Sequence, residues 1–214
     1  AASWMLEHLI NAKGGLHNRI TRQILLQPFT LEETKEFLHN RGIKLNDKQI
    51  LDLYMVMGGV PHYLKQVQKG LSAVQNINAI CFQKDGLLYA EFPRLLQSLF
   101  NEAGIFEKLL REIAKQREGI SREELLAKIK QQSGGTFGKR MDELEAAGFI
   151  QSFVPYGKKK KGLYFRIIDE YTLFYLDWIE PLVKKGGSFT NDKYWENKFQ
   201  TAKWRAWSGY AFEG

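Results

Sequence analysis

Apolar residues at helical spacing run through the first half of the chain, and helix-starting residues stand in front of them. Capping boxes, in which two residues three apart each bond the other's backbone N–H, open the first two helices: Thr30 with Glu33 and Asn46 with Gln49. The apolar positions behind them predict helices over about residues 31–41 and 47–57, each stopped by a glycine. Upstream, residues 18–26 suit a short buried strand or an extended arm that ends at Pro28.

After residue 57 the chain breaks at two glycines and then restarts as a helix. Pro61 suits a first helical turn, and the pattern carries this helix to about residue 70. Ser72 caps the next apolar segment, and another helix is expected over residues 87–100, which either kinks or begins at Pro93. The first half is therefore predicted to be mainly α-helical.

From Ile105 the pattern changes to three shorter helices. Ser121 and Glu124 form the capping box of the second, and the third runs from near Thr136 to Gly148. The third helix carries one apolar side, which comprises Phe137, Met141, Leu144 and Ala147.

Two alternating stretches follow these helices and predict a β-hairpin. They cover residues 149–154 and 163–168, with the loop at 157–162 between them. Three helices and a hairpin are the order of a winged helix, so the fold class is mainly α with a winged-helix domain containing one β-hairpin. The amphipathic segment 170–179 would close this domain, and Pro181 marks a boundary or linker.

The last stretch of the chain is rich in tryptophan. Trp195, Trp204 and Trp207 stand beside lysines and an arginine, a mixture found both in base-stacking surfaces and in helical cores. We favour the core interpretation over the base-stacking one. The surface that would cover these side chains is expected beyond Gly214.

Composition narrows the class of protein. The 214 residues are 44% hydrophobic and 26% charged, which is typical of a folded chain, and the net charge of +7 permits an anionic partner such as nucleic acid or nucleotide. No apolar run reaches the ~18 residues of a membrane span, and the single cysteine, Cys81, is expected to be a buried apolar residue. We therefore expect a cytoplasmic protein without a membrane partner. Because the chain lacks an initiator Met and ends without a polar tail, we expect both ends to be cuts in a longer protein.

Candidate chemistry is concentrated at the hairpin loop. Lys158, Lys159, Lys160 and Lys161 put four positive charges between two glycines, where phosphates or solvent can neutralise them. The third helix of the winged helix carries Lys139 and Arg140 against three carboxylates, a net charge of −1. The expectation is contact with the DNA backbone and not base reading.

Metal binding is not expected. The four histidines lack the paired spacing of zinc sites, and one cysteine cannot complete such a site; the histidines are His8, His17, His39 and His62.

Several short segments resemble the archaeal and bacterial AAA+-type ATPases of the STAND-like branch, which join an ATPase core to a winged helix and often to a nuclease-like region. Residues 57–64, Met-Gly-Gly-Val-Pro-His-Tyr-Leu, resemble the Gly-Gly-x-Pro signature of the family's helical lid. Residues 1–5 resemble the end of the core, and residues 15–20 and 25–29 resemble its exit into the lid. Residues 86–89 follow in the family's order. Residues 207–213 resemble the start of the nuclease-like domain.

The resemblance implies that the chain is made of four regions. Residues 1–28 would be the end of the ATPase core and a connecting arm, 29–100 the helical lid, 101–182 the winged helix, and 183–214 a linker and the start of the C-terminal domain. Gly58, Gly59 and Pro61 would contact the nucleotide, and Arg19 would take the place of the arginine that offsets charge on the γ-phosphate. At Arg19 a solvated or carboxylate-paired arginine is the other interpretation, and Arg22 is the second candidate.

The chain contains no phosphate loop and no strand ending in a Mg²⁺-coordinating acid. ATP and Mg²⁺ are therefore expected only in the full-length parent, bound through a core domain outside this chain, and ATP hydrolysis is not expected of the chain alone. Our interpretation is a C-terminal regulatory fragment of a cytoplasmic ATP-binding protein, whose lid closes on ATP and whose winged helix binds duplex DNA or a protein partner, including a second copy. The alternative is a stand-alone winged-helix module that binds DNA or protein without nucleotide chemistry.

Overall fold

Helices dominate the part of the chain that the computed structural model describes, which is residues 22, 24, 26–130, 134–157, 162–186 and 193–213. These residues fall into two units. Of the described residues, the helical unit comprises 27–92 and 170–213, and the sheet unit comprises 93–169 together with 22, 24 and 26. A three-stranded antiparallel sheet accompanies the helices, which confirms a mainly α-helical chain. Within the described ranges, none of the helices combines the length and the apolar character that crossing a bilayer requires.

The first part of the helical unit starts its helices where the capping residues predict. It contains α1 (Leu31–Asn40), α2 (Asp47–Met57), α3 (Pro61–Leu64) and α4 (Ala73–Ile77), then a π-helical turn (Asn78–Phe82) and a 3₁₀ turn (Leu87–Tyr89). Reciprocal capping boxes are formed at Thr30, Asn46 and Ser72. Cys81 is fully buried, as expected, and burial raises the pKa of its thiol.

The helix that begins at Pro61 ends at Leu64, earlier than the predicted residue 70. A longer helix would need backbone groups that here form hydrogen bonds with the side chains of Arg41 and Asn76. The Arg41 guanidinium donates to the carbonyl oxygens of Leu64 and Lys65 at 2.8 and 2.9 Å. The buried Asn76 amide accepts from Gln68 N at 2.8 Å and donates to the Leu71 carbonyl at 3.2 Å. The early end of α3 is therefore set by contacts distant in sequence.

The sheet unit has the helix and strand order that the sequence predicts, with one extra strand. Its elements are α5 (Glu91–Leu99, which starts two residues before the unit and has Pro93 in its first turn), α6 (Ala103–Ala114), β1 (Ile120–Ser121), α7 (Arg122–Ile129), α8 (Gly135–Ala146), β2 (Ile150–Phe153) and β3 (Tyr164–Ile167). The sheet order is β1-β3-β2, with Ile120 opposite Phe165 and Ile150 opposite Ile167. The predicted apolar side of α8 is confirmed, because Phe137, Met141 and Leu144 are buried.

The end of the chain returns to the helical unit through α9 (Glu170–Phe174), a π-helical turn (Tyr175–Ile179), α10 (Glu180–Lys184), α11 (Tyr194–Phe199) and α12 (Ala202–Glu213). Its core is the tryptophan cluster, which we define as Trp178, Trp195, Trp204 and Trp207 with Phe82 and Phe174. Trp195 stacks on Phe82 with ring centroids 5.1 Å apart and meets Trp178 edge-on at 5.2 Å.

The tryptophan cluster corrects two of the sequence-based expectations, one about the surface that covers these residues and one about segment 170–179. Trp195, Trp204 and Trp207 are at most 3% exposed, so they are core residues, but the surface that covers them belongs to the same chain and not to residues beyond Gly214. Segment 170–179, which we expected to close the winged helix, packs within the helical unit because Phe174 and Trp178 lie against these tryptophans.

Candidate functional site

The predicted nucleotide-contacting turn begins at Gly58, where the backbone adopts a conformation that favours glycine. Gly58 ends α2 with a φ of +59°, and its N–H donates to the Tyr54 carbonyl at 2.7 Å. A Cβ at this position would lie 2.7 Å from a carboxylate oxygen of Glu170. The φ angle therefore favours glycine here, and a Cβ would in addition displace the Glu170 carboxylate.

Gly59 packs against the backbone of the arm that precedes α1. The Phe29 N–H donates to the Gly59 carbonyl at 2.7 Å, and a Cβ on Gly59 would collide with the Phe29 backbone. The Tyr54 hydroxyl donates to the Phe29 carbonyl at 3.3 Å. The Phe29 backbone of the same chain therefore fills the space that is open because Gly59 has no Cβ.

Tyr54 is held as a hydrogen-bond donor by its surroundings. Burial raises the pKa of its hydroxyl, and the carboxylates of Glu170 and Glu33 raise that pKa further. The hydroxyl therefore stays protonated near neutral pH and can keep its bond to Phe29. This fixes the arm to the glycine turn.

Pro61 presents the more open part of the turn. Val60 and Pro61 are half-buried, whereas Gly58 and Gly59 are buried. Pro61 occupies the first turn of α3, whose last carbonyls are bound by Arg41. The predicted residues Gly58, Gly59 and Pro61 thus lie in one turn, and Pro61 has the surface available to a ligand.

The wing, by which we mean the loop between β2 and β3 (residues 154–163), is described only where it leaves and rejoins the strands. Lys158, Lys159, Lys160 and Lys161, the predicted DNA contacts, lie outside the described residues. Just before them, Tyr156 is fully exposed and Val154 is 40% exposed. An exposed aromatic side chain beside a lysine run is a feature of nucleic-acid-binding surfaces.

The two basic residues of α8 form ion pairs within the protein. The Arg140 guanidinium pairs with Glu102 at 2.8 Å, and Lys139 lies 3.8 Å from Glu143. On the same helix Asp142 is exposed, and Glu145 accepts from the Ser152 hydroxyl at 2.9 Å. The exposed face of α8 therefore carries a slight excess of acidic side chains.

Arg19, the predicted catalytic residue, lies outside the described residues, so the structure gives no distance between it and the glycine turn. The second candidate, Arg22, is exposed.

Sequence reasoning missed three contributors to these regions. Phe29 was seen only as part of a connecting segment, and its use of backbone atoms leaves no signature in the side-chain pattern. Arg41 follows α1 as an ordinary polar residue, and only the fold shows that it binds the end of α3. Tyr156 could have been found from its place beside the lysine run.

Among the residues that the structure describes, no three His, Cys, Asp or Glu side chains come together as a metal site. Comparisons with models of protein families, with curated proteins and with solved structures give no significant match for this chain.

Proposed function

We propose that this chain is the lid and winged-helix part of a cytoplasmic AAA+ ATPase of the STAND-like branch, and that its winged helix binds duplex DNA through the wing. The lid would close on ATP in the full-length protein and transmit that closure to the DNA-binding part. In this proposal the chain is regulatory, and the phosphate loop and Mg²⁺ site belong to a core domain outside it.

The observation that carries the proposal is the topology of residues 103–167. Helix α6 leads into β1, α7 and α8, and the hairpin β2–β3 follows, with β1 paired to β3. A short strand after the first helix that pairs with a hairpin is the arrangement expected of a winged helix. It supports the fold part of the proposal, while the DNA part depends on the wing.

The wing supports contact with the DNA backbone. Its four lysines can each neutralise a phosphate, and the exposed Tyr156 can donate its hydroxyl to another. Helix α8 holds Lys139 and Arg140 in ion pairs and has an acidic outer face, which favours binding without base readout.

The lid part of the proposal assigns adenine contact to Pro61. Gly58 and Gly59 would then act by holding Pro61 in place, because both are buried and packed against Glu170 and Phe29. Arg19 would offset the charge that develops on the γ-phosphate. ATP and Mg²⁺ would supply the phosphoryl-transfer chemistry when bound to the full-length protein.

A second candidate function is protein docking by the winged helix. The acidic face of α8, with Asp142 exposed and Glu145 at the β2 edge, favours a basic protein partner over DNA at that helix. In this case the wing lysines would contribute to solubility and not to DNA binding.

The experiment that separates these functions measures binding of a short mixed-sequence duplex at low salt by fluorescence anisotropy. We expect binding by the wild-type chain and its loss when Lys158, Lys159, Lys160 and Lys161 are all changed to Gln. A matched control changes four exposed lysines of the helical unit to Gln and removes the same charge: Lys44, Lys65, Lys69 and Lys84. Equal loss in both variants, or no binding by the wild type, would contradict the proposal and favour protein docking.

The lid is tested separately with ATP. The purified chain should show no ATP turnover, because the groups that bind and polarise the phosphates are not in it. In the full-length protein, Arg19→Ala should lower kcat with little change in ATP affinity. Turnover by the chain itself, or an unchanged kcat in the variant, would contradict this part of the proposal.

A further inference from the structure

A small pocket in the helical unit lies among the π-helical turn Tyr175–Ile179, α10, α11 and the start of α12. Its volume is about 260 Å³. The lining includes three lysines, two aromatic residues and one carboxylate: Lys185, Lys198, Lys203, Trp178, Tyr194 and Asp177. None of these residues belongs to the glycine turn or to the wing.

The three ammonium groups of this pocket have no carboxylate partner among the described residues. Lys203 Nζ lies 4.2 Å from the Trp178 ring centroid and donates to the backbone carbonyl of Asp177 at 3.3 Å. Lys198 Nζ lies 5.7 Å from the Tyr194 ring centroid. By contrast, Lys184 beside the pocket pairs with Glu180 at 2.8 Å. Positive charge is thus kept available at the pocket and neutralised next to it.

The one carboxylate of the lining is already engaged. Asp177 Oδ2 accepts from the Trp207 indole N–H at 2.8 Å, so this acid is held by the tryptophan cluster. Three lysines and one aspartate leave the lining with a net charge of +2, counted from the lining residues. This charge favours an anionic ligand.

Hydrogen-bond donors accompany the positive charge. The Trp178 indole N–H is buried and has no hydrogen-bond partner. Burial raises the pKa of the half-buried Tyr194 hydroxyl, which keeps it protonated. The Trp178 nitrogen has almost no accessible surface, so the donor that a ligand in the pocket could reach is the hydroxyl of the half-buried Tyr194.

We propose that this pocket binds a small phosphate-type oxyanion. Lysines bind phosphate as compact point charges, and the Tyr194 hydroxyl can donate to one of the remaining oxygens. The volume lies just below the roughly 300–1,000 Å³ of ordinary small-molecule pockets, so the ligand is inorganic phosphate or a small phosphomonoester and not a nucleotide. The site is independent of the proposed roles of the wing and the glycine turn.

The test is a titration of the purified chain with inorganic phosphate, followed by tryptophan emission at constant ionic strength. Movement of the Lys203 ammonium from the face of Trp178 should change the emission of the cluster. We expect saturable binding in the millimolar range. The double variant Lys185→Gln/Lys198→Gln should raise the dissociation constant about fivefold, because each exposed charge contributes modestly. Both side chains are exposed, so the fold should be unaffected, which thermal unfolding would verify.

The matched control is Lys184→Gln, which removes the same kind of charge next to the pocket and should leave the dissociation constant unchanged. A parallel titration with glycerol phosphate separates the two ligand sources: binding of both anions assigns a phosphate-group site, and binding of phosphate alone assigns an inorganic-ion site. No saturable change, an equal change with chloride, or an equal loss in the Lys184 variant would overturn the proposal.

Discussion

The glycine turn of the helical unit and the wing of the sheet unit both stand out in the sequence, yet their residues differ in burial. At the turn, Gly58 and Gly59 are buried and packed against Glu170 and Phe29 of the same chain. At the wing, Tyr156 is fully exposed. Packing within the helical unit accounts for the two glycines, whereas the Tyr156 side chain lies in solvent.

Because of this difference in burial, the lid and the wing need different measurements. A substitution in the interior of the helical unit changes the free energy of unfolding, so an effect on ATP there needs a stability measurement beside it. A substitution on the wing should change binding alone.

The largest expected effect is at the centre of the tryptophan cluster. Trp195 is fully buried and touches Phe82, Trp178 and Trp204. Trp195→Ala should lower the free energy of unfolding by about 3–5 kcal/mol, measured by urea denaturation, because it removes a buried aromatic side chain and leaves a cavity. Phe212→Ala, at a residue that is 65% exposed on α12, should cost less than about 0.5 kcal/mol. Similar losses in both variants would contradict the assignment of the cluster as the core.

The next effect is at the glycine turn. Gly59→Ala should lower the free energy of unfolding by about 2–3 kcal/mol, because the new Cβ must displace the Phe29 backbone. Gly209→Ala is the matched control, since Gly209 lies within α12 with no atom within 4 Å of an added Cβ. That variant should gain about 0.5–1 kcal/mol from helix propensity. A neutral Gly59→Ala variant would show that the arm does not pack on the turn.

A smaller effect is expected where Arg41 binds the end of α3. Arg41→Gln should cost about 1.5–2 kcal/mol of unfolding free energy, because the carbonyls of Leu64 and Lys65 lose charged donors. Lys44→Gln, at an exposed neighbour, should be neutral within about 0.5 kcal/mol. If the two variants unfold at the same urea concentration, the early end of α3 has another cause.

The smallest change in stability is expected at the wing. Tyr156→Ser should leave the free energy of unfolding within about 0.5 kcal/mol of wild type, because the side chain is fully exposed. Its affinity for duplex DNA should fall about fivefold through the loss of one phosphate contact worth about 1 kcal/mol. Anisotropy titrations at a single salt concentration measure this. Unchanged affinity would remove Tyr156 from the binding surface.

The starts of the helices could be predicted from the sequence because capping is local. Thr30, Asn46, Ser72 and Ser121 each form the predicted cap within three residues. Contacts distant in sequence could not be predicted in this way. The early end of α3 depends on Arg41 and Asn76, and β1 is only two residues long and exists through its pairing with β3.

In the candidate sites, too, local features could be predicted and contacts distant in sequence could not. The Gly58–Pro61 turn was found because glycine and proline have local backbone meanings, but the packing of Phe29 on Gly59 uses backbone atoms and has no sequence signal. The apolar positions of Trp195, Trp204 and Trp207 indicated a core, while their partners Phe82, Phe174 and Trp178 come from other parts of the chain.

The most direct test of the central claim is the salt dependence of duplex DNA binding by the wild-type chain and by the variant with Lys158, Lys159, Lys160 and Lys161 changed to Gln. Each neutralised phosphate contributes about −0.9 to the slope of log K against log salt concentration, so the wing should contribute roughly −2 to −4. We expect the variant to flatten the slope by that amount with unchanged unfolding, and the wild type to bind different sequences alike. Equal slopes for the two proteins, or strong preference for one sequence, would contradict backbone binding through the wing.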